Sequence, residues 1–195
     1  TTGESATLTP QERKEVIRFT VERVAGRVPV IAGTGTNNTQ HVLEFTKSAC
    51  DDGADAVLVV TPYYNKATQA GLIAHFTAVA DASDKPVILY NVPSRTGCNL
   101  LPDTVAVLAK HPNIAAIKEA SGNMGQVVEL AAKCGGDIAI YSGEDGITLP
   151  ILSMGGQGCI SVASNVVPRT MVSLADTFFR GDVAEAARMQ RELWP

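Results

Sequence analysis

The chain has 195 residues, of which 45% are hydrophobic and 18% charged, and its formal net charge is −4. This length and apolar content are enough to bury the core of one or two domains. The slight negative charge offers no basic surface for nucleic acid or for a membrane, and no apolar run approaches the length of a membrane span. We therefore expect a soluble, cytoplasmic protein that binds neither nucleic acid nor a membrane.

Helical and strand-like patterns alternate along the whole chain. Helices have an apolar stripe at helical spacing, and strands are short Val- and Ile-rich runs bounded by Gly, Pro, Asp or Asn. In chain order the predicted elements are helix 10–25, strand 29–33, helix 39–52, strand 55–62, helix 69–82, strand 86–93, helix 102–110, strand 113–120, helix 124–134, strand 137–143, helix 146–154, strand 158–163 and helix 168–179. Thr9 before Pro10 marks the start of the first helix, whereas Thr39 is the predicted N-cap of the second and Gly53 its left-handed end residue.

The cysteines and histidines give no sign of a metal site. They are Cys50, Cys98, Cys134 and Cys159, with His41, His75 and His111. No C-x-x-C pair is present, so the cysteines are interpreted as small buried residues in a reducing compartment. The histidines are expected on helix surfaces or helix ends. We therefore predict no metal site.

Regular alternation of strands and helices favours a parallel sheet, either doubly wound or closed as a (β/α)8 barrel. The turn 33–35 after the first strand has two glycines but lacks the third glycine of a dinucleotide-binding fingerprint. Reactive residue types instead follow many different strands, as in a barrel. They are Thr34, Tyr63, Tyr64, Tyr90, Lys118, Ser142, Gly143 and Ser161.

The predicted fold class is therefore α/β, a truncated (β/α)8 TIM barrel that contains strands 3 to 8. Residues 1–180 are expected to form the partial barrel, and residues 181–195 to begin a C-terminal helical region. The chain opens without methionine and stops just after a helix-like stretch, so we interpret it as a piece of a longer protein.

Lys118 is the one charge that closes the apolar run 113–118. A lysine at the carboxyl end of a buried parallel strand lies in or beside a pocket, where desolvation favours the neutral amine. A neutral amine can attack a carbonyl carbon. The alternative is a lysine that extends to the barrel rim or pairs with a carboxylate.

Other residues could complete such a site. Tyr90 could transfer protons, and Thr1 and Tyr64 could extend a chain of hydroxyl groups. Thr2 lies where an anion could bind near a helix start, and Arg95 offers a bidentate fork for a carboxylate. Each residue also has a structural interpretation, such as a buried tyrosine with a satisfied hydroxyl or an arginine in a surface turn.

Four ordered motifs resemble the dihydrodipicolinate synthase family (4-hydroxy-tetrahydrodipicolinate synthases). They are TTGE at 1–4, TPYYN at 61–65, YNVPSRTG at 90–97 and IKEA at 117–120. The resemblance runs through essentially the whole chain. It implies a class I, pyruvate-dependent aldolase barrel with no metal or organic cofactor, acting in the diaminopimelate branch of lysine biosynthesis.

The resemblance also implies a role for each candidate catalytic residue. Lys118 would form a Schiff base with pyruvate, and Tyr90 would be the proton donor and acceptor in a relay with Thr1 and Tyr64. In this family the tyrosine at the Tyr64 position comes from the neighbouring subunit, so a homodimer or homotetramer is expected.

Substrate-binding roles follow from the same resemblance. Thr2 would hold the pyruvate carboxylate, with the backbone carbonyl of Ile160 beside it and Gly143 also in the substrate site. Arg95 would bind the carboxylate of L-aspartate 4-semialdehyde. The N-acetylneuraminate lyase branch usually lacks this arginine, so Arg95 decides the second substrate.

A lysine-binding allosteric site is a further implication. The matching residues are Ser5, Ala6, Asn37, His41 and Tyr63. His41 stands where lysine-inhibited members commonly have a glutamate, and Pro10 stands where they often have a histidine. Loss of that carboxylate removes a charge-assisted hydrogen bond of about 1.5–3 kcal/mol, so we predict weak lysine inhibition or none.

Two alternatives remain open. The first is another pyruvate aldolase of the superfamily, either N-acetylneuraminate lyase-like or specific for a keto-deoxy sugar acid. The second is a non-catalytic fragment, because an open barrel exposes strand edges and core surface.

Overall fold

The computed structural model describes residues 1–193 and confirms the alternation of strands and helices. The strands are β1 (Ile31–Gly33), β2 (Ala56–Val60), β3 (Val87–Asn91), β4 (Ile114–Glu119), β5 (Ala139–Ser142) and β6 (Gly158–Cys159). The α-helices are α1 (Pro10–Val24), α2 (Thr39–Asp51), α3 (Gln69–Ala82), α4 (Pro93–Thr96), α5 (Pro102–Leu108), α6 (Met124–Cys134), α7 (Thr148–Ser153), α8 (Pro168–Phe179) and α9 (Val183–Glu192). Positions 194 and 195 of the predicted C-terminal helical region lie outside the described residues.

The six strands form one parallel sheet in the order in which they occur along the chain. A doubly wound sheet would reverse its strand order at a switch point, so that alternative is wrong. The sheet curls into an open half-barrel with the helices outside it. Within residues 1–193, β1 and β6 each pair on one side only. The prediction of a partial (β/α)8 barrel is thereby confirmed.

The two faces of the sheet have different chemistry. The face toward the helices is apolar, with Leu89 and Ile117 of the central strands packed in one large buried cluster with Phe76 of α3. The opposite face carries a small cluster that contains Tyr90 and Val92. Because alternate strand residues point to opposite faces, Tyr90 and Lys118 point to the inside of the half-barrel, whereas Leu89 and Ile117 point to the helices.

Two local predictions about the helices need correction. Asn38, not Thr39, caps α2: its side-chain oxygen accepts from the backbone N–H of Gln40 at 3.0 Å. The Thr39 hydroxyl instead bonds Nδ1 of His75 at 2.8 Å. His75 is buried and only 5% exposed, so its predicted place on a helix surface or end is wrong. The reason is tertiary: α3 is apolar around most of its circumference and packs between α2 and α5.

The polypeptide after β5 also differs from the prediction. The predicted helix 146–154 begins with a separate 3-10 turn (Asp145–Ile147) and continues as α7. The predicted strand 158–163 ends at Cys159. The Oδ2 atom of Asp145 accepts hydrogen bonds from the backbone N–H groups of Val162 and Ala163 at 3.0 and 2.8 Å. These bonds turn the segment out of the sheet.

The other sequence features lie as follows. Cys98 and Cys134 are buried, whereas Cys50 and Cys159 are half-buried, and all four are free thiols. The described part of the chain has no group of three or more potential metal ligands of the His, Cys, Asp or Glu types. None of the helices that the structure describes is long and apolar enough to span a membrane.

Candidate active site

Lys118 and Tyr90 lie side by side at the carboxyl ends of neighbouring strands. They are register partners of β4 and β3, and Nζ of Lys118 is 4.3 Å from the centroid of the tyrosine ring. Both side chains are nearly buried, at 7% and 6% exposure. Thr1 Oγ1 donates a hydrogen bond to the Tyr90 hydroxyl at 3.2 Å. The structure thus brings together three of the four predicted catalytic residues.

The surroundings of the Lys118 amine weaken its hold on a proton. Burial lowers the pKa of Lys118, and the negative charge of Asp145 partly opposes that shift. Desolvation therefore dominates, and it favours the uncharged nucleophile. The alternative of an extended lysine at the rim, paired with a carboxylate, does not describe this side chain.

A cavity of 420 Å³ opens in front of the amine, and we call it the lysine cavity. Its wall includes Tyr90, Lys118, Thr1, Thr2 and Ile160. The strand ends supply one side, and the segment after β6 supplies the other. Ile160 is held there because its backbone N–H donates to the carbonyl of Ser142 at 2.8 Å.

A second cavity of 300 Å³, the arginine cavity, shares Thr1, Thr2 and Tyr90 with the first and contains Arg95 and Gly143. Arg95 lies on the short helix α4 and is exposed. Within residues 1–193, no carboxylate lies within salt-bridge distance of its guanidinium. Its fork is available to an anionic ligand.

Gly143 permits the close approach of the lysine stem. A Cβ atom added at this position would lie 2.9 Å from both Cγ and Cε of Lys118 and 2.8 Å from Cβ of Ala120. The glycine backbone is fixed by its N–H, which donates to the carbonyl of Glu119 at 2.8 Å. Only glycine leaves the lysine in its observed position.

Tyr64 is not brought to the site within one chain. Its side chain is 88% exposed, and within the described residues its hydroxyl has no hydrogen-bond partner. Its backbone has φ 74° inside a γ-turn, closed by the N–H of Asn65 and the carbonyl of Tyr63 at 2.9 Å. This turn directs a large aromatic ring away from its own chain.

The residues of the predicted allosteric site are only partly gathered. Ser5, Ala6 and Tyr63 line a third cavity of 230 Å³. Asn37 and His41 are not part of its wall. The carbonyl of Asn37 accepts from Nδ2 of Asn65 at 2.9 Å, and His41 is exposed on α2.

Two carboxylates beside Lys118 were missed by sequence reasoning. Asp145 lines the arginine cavity and influences the Lys118 amine, as described above. Glu119 is the next residue after the lysine and is fully buried. The sequence could have indicated these two acids only by their position, since each lies at or just beyond the end of a predicted strand.

Comparison with known proteins agrees with this geometry. The family model described as the dihydrodipicolinate synthetase family matches residues 1–195. The 4-hydroxy-tetrahydrodipicolinate synthase of Leptospira biflexa serovar Patoc is 51% identical over 195 residues, which cover 100% of this chain and 66% of that protein.

Solved structures give the same result. The crystal structure of dihydrodipicolinate synthase from Aquifex aeolicus superposes with a TM-score of 0.96 at 46% identity, covering 98% of this chain and 66% of that one. A monomeric dihydrodipicolinate synthase variant superposes with a TM-score of 0.97 at 42% identity, covering 100% and 66%. The chain thus spans about two thirds of the length of the relatives it matches. With a match along its entire length, the chain belongs to the dihydrodipicolinate synthetase family.

Proposed function

We propose that the protein is a Schiff-base aldolase that condenses pyruvate with L-aspartate 4-semialdehyde, the 4-hydroxy-tetrahydrodipicolinate synthase reaction of lysine biosynthesis. The observation that carries the proposal is the buried Lys118 amine, with a lowered pKa, facing a cavity beside Tyr90. The relatives are named 4-hydroxy-tetrahydrodipicolinate synthases, and the family resemblance implies pyruvate and L-aspartate 4-semialdehyde as the substrates.

In the first step the neutral amine of Lys118 attacks the ketone carbon of pyruvate. The new N–C bond gives a carbinolamine, which loses its hydroxyl group as water to form the iminium. Tyr90 is placed to give and take the protons of this step. Because the Thr1 hydroxyl donates to the Tyr90 oxygen, the phenol proton remains free to point at the substrate. Positioned acid–base groups of this kind typically contribute about 10²–10⁴-fold.

In the second step the iminium loses a proton from the former pyruvate methyl group and becomes a neutral enamine. The enamine carbon attacks the aldehyde carbon of the second substrate, and the aldehyde oxygen takes up a proton. Attack of the substrate amino group on the imine carbon then releases Lys118 and closes the ring. Thr2 is assigned to the pyruvate carboxylate, because its hydroxyl can donate to a carboxylate oxygen and it lies on the wall of the lysine cavity. The backbone carbonyl of Ile160, which cannot donate, is assigned only to the lining of the same site.

Arg95 is assigned to the carboxylate of L-aspartate 4-semialdehyde. The guanidinium of Arg95, which has no salt-bridge partner within residues 1–193, lines the arginine cavity. Thr1 and Tyr90 line both this cavity and the lysine cavity. A bidentate guanidinium–carboxylate pair would orient the aldehyde toward the enamine. Gly143 lies in the same cavity, where its lack of a side chain leaves room for the substrate.

Tyr64 is assigned to the proton relay of a neighbouring subunit. A non-glycine residue with positive φ carries a strain of about 1–3 kcal/mol, and an exposed aromatic ring gives up the gain from burial. Both costs are understandable if a second copy of the chain covers the ring. We therefore propose a homodimer, or a homotetramer built from it, whose oligomeric state can be measured by sedimentation; one related structure is a monomeric variant.

Three further assignments complete the proposal. Residues 181–195 are assigned to the start of a C-terminal helical region, because the described part of this segment forms α9, which packs on α7 and α8. Lysine inhibition is weak or absent, since His41 replaces a carboxylate. A cytoplasmic location is the third assignment, in keeping with a biosynthetic enzyme.

The test is borohydride reduction of the full-length gene product with pyruvate, followed by peptide mass mapping. We expect one pyruvyl adduct on Lys118. Lys118→Arg keeps the positive charge but should abolish the adduct, whereas Lys133→Arg on the exposed face of α6 should leave it intact. A folded protein without an adduct at Lys118 would refute the proposal. Turnover with L-aspartate 4-semialdehyde and with sugar aldehydes then separates the two aldolase alternatives. A sharp cooperative melt and a defined oligomer of the isolated 195-residue chain would argue against the alternative of a non-catalytic fragment.

A further inference from the structure

Glu119 is a buried carboxylate directly behind the proposed catalytic lysine. Alternation along β4 places Lys118 toward the cavity and Glu119 toward the helices. The Glu119 side chain is 1% exposed, and no described residue forms a salt bridge with it. Its oxygens accept from the Ser121 N–H at 2.6 Å, from Asn91 Nδ2 at 3.1 Å and from Gln126 Nε2 at 3.5 Å.

Asn91 is the partner of Glu119 across the strand pair. The two residues are in register on β3 and β4, immediately after the register pair Tyr90 and Lys118. Asn91 is fully buried, and its oxygen accepts from the N–H of Leu100 at 2.9 Å. The side-chain bond between Asn91 and Glu119 therefore ties the ends of the two strands that carry the amine and the phenol.

This polar pair interrupts an apolar surface. Earlier positions on the same face of these strands are Leu89 and Ile117, both fully buried in the helix-facing core. Burying a carboxylate without a cation costs several kcal/mol, even when hydrogen bonds satisfy its oxygens in part. Apolar residues at positions 91 and 119 would continue the core without that cost, so packing alone gives no reason for this pair.

The opposite ends of β3 and β4 show what the pair contributes. Val87 pairs with Ile114, but Ile88 pairs with Ala116, so the register shifts by one residue at the start of the strands. A shift of one residue would turn side chains to the other face of the sheet. From the Ile88–Ala116 pair onward the register is regular, and the Asn91–Glu119 side-chain bond adds a fixed point at the other end of this regular stretch, one residue beyond Tyr90 and Lys118.

We propose that Glu119 and Asn91 are positioning residues, whose side-chain hydrogen bond fixes the register in which Lys118 and Tyr90 face each other. The proposal rests on the proposed aldolase function. It assigns the two motif residues that follow the tyrosine and the lysine, and neither of them touches the substrate.

The first variant is Glu119→Gln in the full-length gene product. Glutamine keeps the shape but turns one acceptor oxygen into an NH₂ group that faces other N–H donors. Because a misplacement of about 1 Å can cost about 10²-fold, we expect the rate of pyruvate adduct formation and kcat to fall about 10- to 100-fold. The KM values for both substrates should change less than about threefold, since Thr2 and Arg95, the residues assigned to the substrate carboxylates, are not altered.

The decisive variant is the exchange Asn91→Asp with Glu119→Gln. It restores one carboxylate and one amide donor across the strands. We expect the exchange variant to form the adduct at least tenfold faster than Glu119→Gln. Gln126→Met is the control, because Gln126 donates to Glu119 and also bonds Asn99 and Leu100, but bonds no residue of β3 itself. It should slow the reaction less than threefold, although thermal unfolding can show a comparable loss of stability.

Each result has a definite meaning. Wild-type rates in folded Glu119→Gln would overturn the proposal, as would an exchange variant no faster than the single variant. Equal losses in Gln126→Met and Glu119→Gln would also overturn it, since they indicate general destabilisation. If Glu119→Gln does not fold, a folded exchange variant that reacts more than tenfold slower than wild type refutes the proposal. Failure of the aldolase function itself would appear separately, as a wild-type protein without an adduct.

Discussion

Replacement of Gly143 by alanine tests whether the position of Lys118 limits the proposed chemistry. The new Cβ would lie 2.9 Å from Cγ and Cε of Lys118 and 2.8 Å from Cβ of Ala120. Non-bonded carbon atoms prefer about 3.5–4.0 Å, so the lysine stem must move by roughly 0.6–1 Å. The Ala120 side cannot relieve the contact, because that residue is buried beside Tyr90.

The expected loss follows from that displacement. A shift of about 1 Å at a reacting group can cost about 10²-fold, so Gly143→Ala should slow adduct formation with pyruvate by about 10- to 100-fold. Overpacking should also lower the free energy of unfolding by about 1–3 kcal/mol. The assay is borohydride trapping at timed intervals, with the fraction of adduct read from the intact mass.

Gly136→Ala is the control, because a Cβ at that position meets no atom within 4 Å. It should form the adduct at the wild-type rate. If Gly143→Ala is folded and also reacts at the wild-type rate, the lysine stem is not confined as the structure indicates, and the reasoning from close packing to reactivity fails.

Three further predictions concern charge. Arg95→Ala should raise KM for L-aspartate 4-semialdehyde by about 10- to 150-fold, from the loss of about 1.5–3 kcal/mol, and leave pyruvate trapping unchanged; equal losses for both substrates would contradict the assignment. Asp145→Asn removes a charge that raises the Lys118 pKa, so the alkaline rise of the trapping rate should move to lower pH; an unmoved profile would exclude that influence. Burial lowers the pKa of His75 to about 4, below the value of about 6.5 in the unfolded chain, so its neutral form stabilises the fold above pH 6.5. That contribution, up to about 3 kcal/mol, should be lost as the pH falls from 6.5 to 4 and be absent in His75→Gln, as urea unfolding at both pH values would show.

Much of the fold could be predicted because its signals are local. Short apolar runs separated by helical stripes indicate consecutive parallel strands, and the carboxyl ends of such strands meet at one edge. The sequence alone could therefore predict that Lys118 and Tyr90 lie close together. Their exact pairing could not, because the one-residue shift between Val87 and Ile88 leaves no local signal.

The predictions that failed depended on contacts between distant segments. The Thr39 hydroxyl could cap its own helix or bond another residue, and the buried His75 ring decided the choice. The strand after residue 158 ends early because Asp145 captures backbone N–H groups 17 and 18 residues away. Such competition for hydrogen bonds is decided in the folded chain, so single-sequence patterns cannot resolve it.

Tyr64 marks a different limit, since no arrangement within one chain explains its conformation. The strained γ-turn and the exposed ring both raise the free energy of an isolated chain, whereas glycine there would avoid both costs. The Thr1 hydroxyl meanwhile bonds Tyr90, and within residues 1–193 it makes no side-chain hydrogen bond to another hydroxyl group. The proposed relay thus lacks its third hydroxyl group within one chain, while the same chain exposes a strained tyrosine that could supply that group to a neighbouring copy. A second copy that places its tyrosine in this relay would remove both, which makes assembly part of the proposed catalytic chemistry.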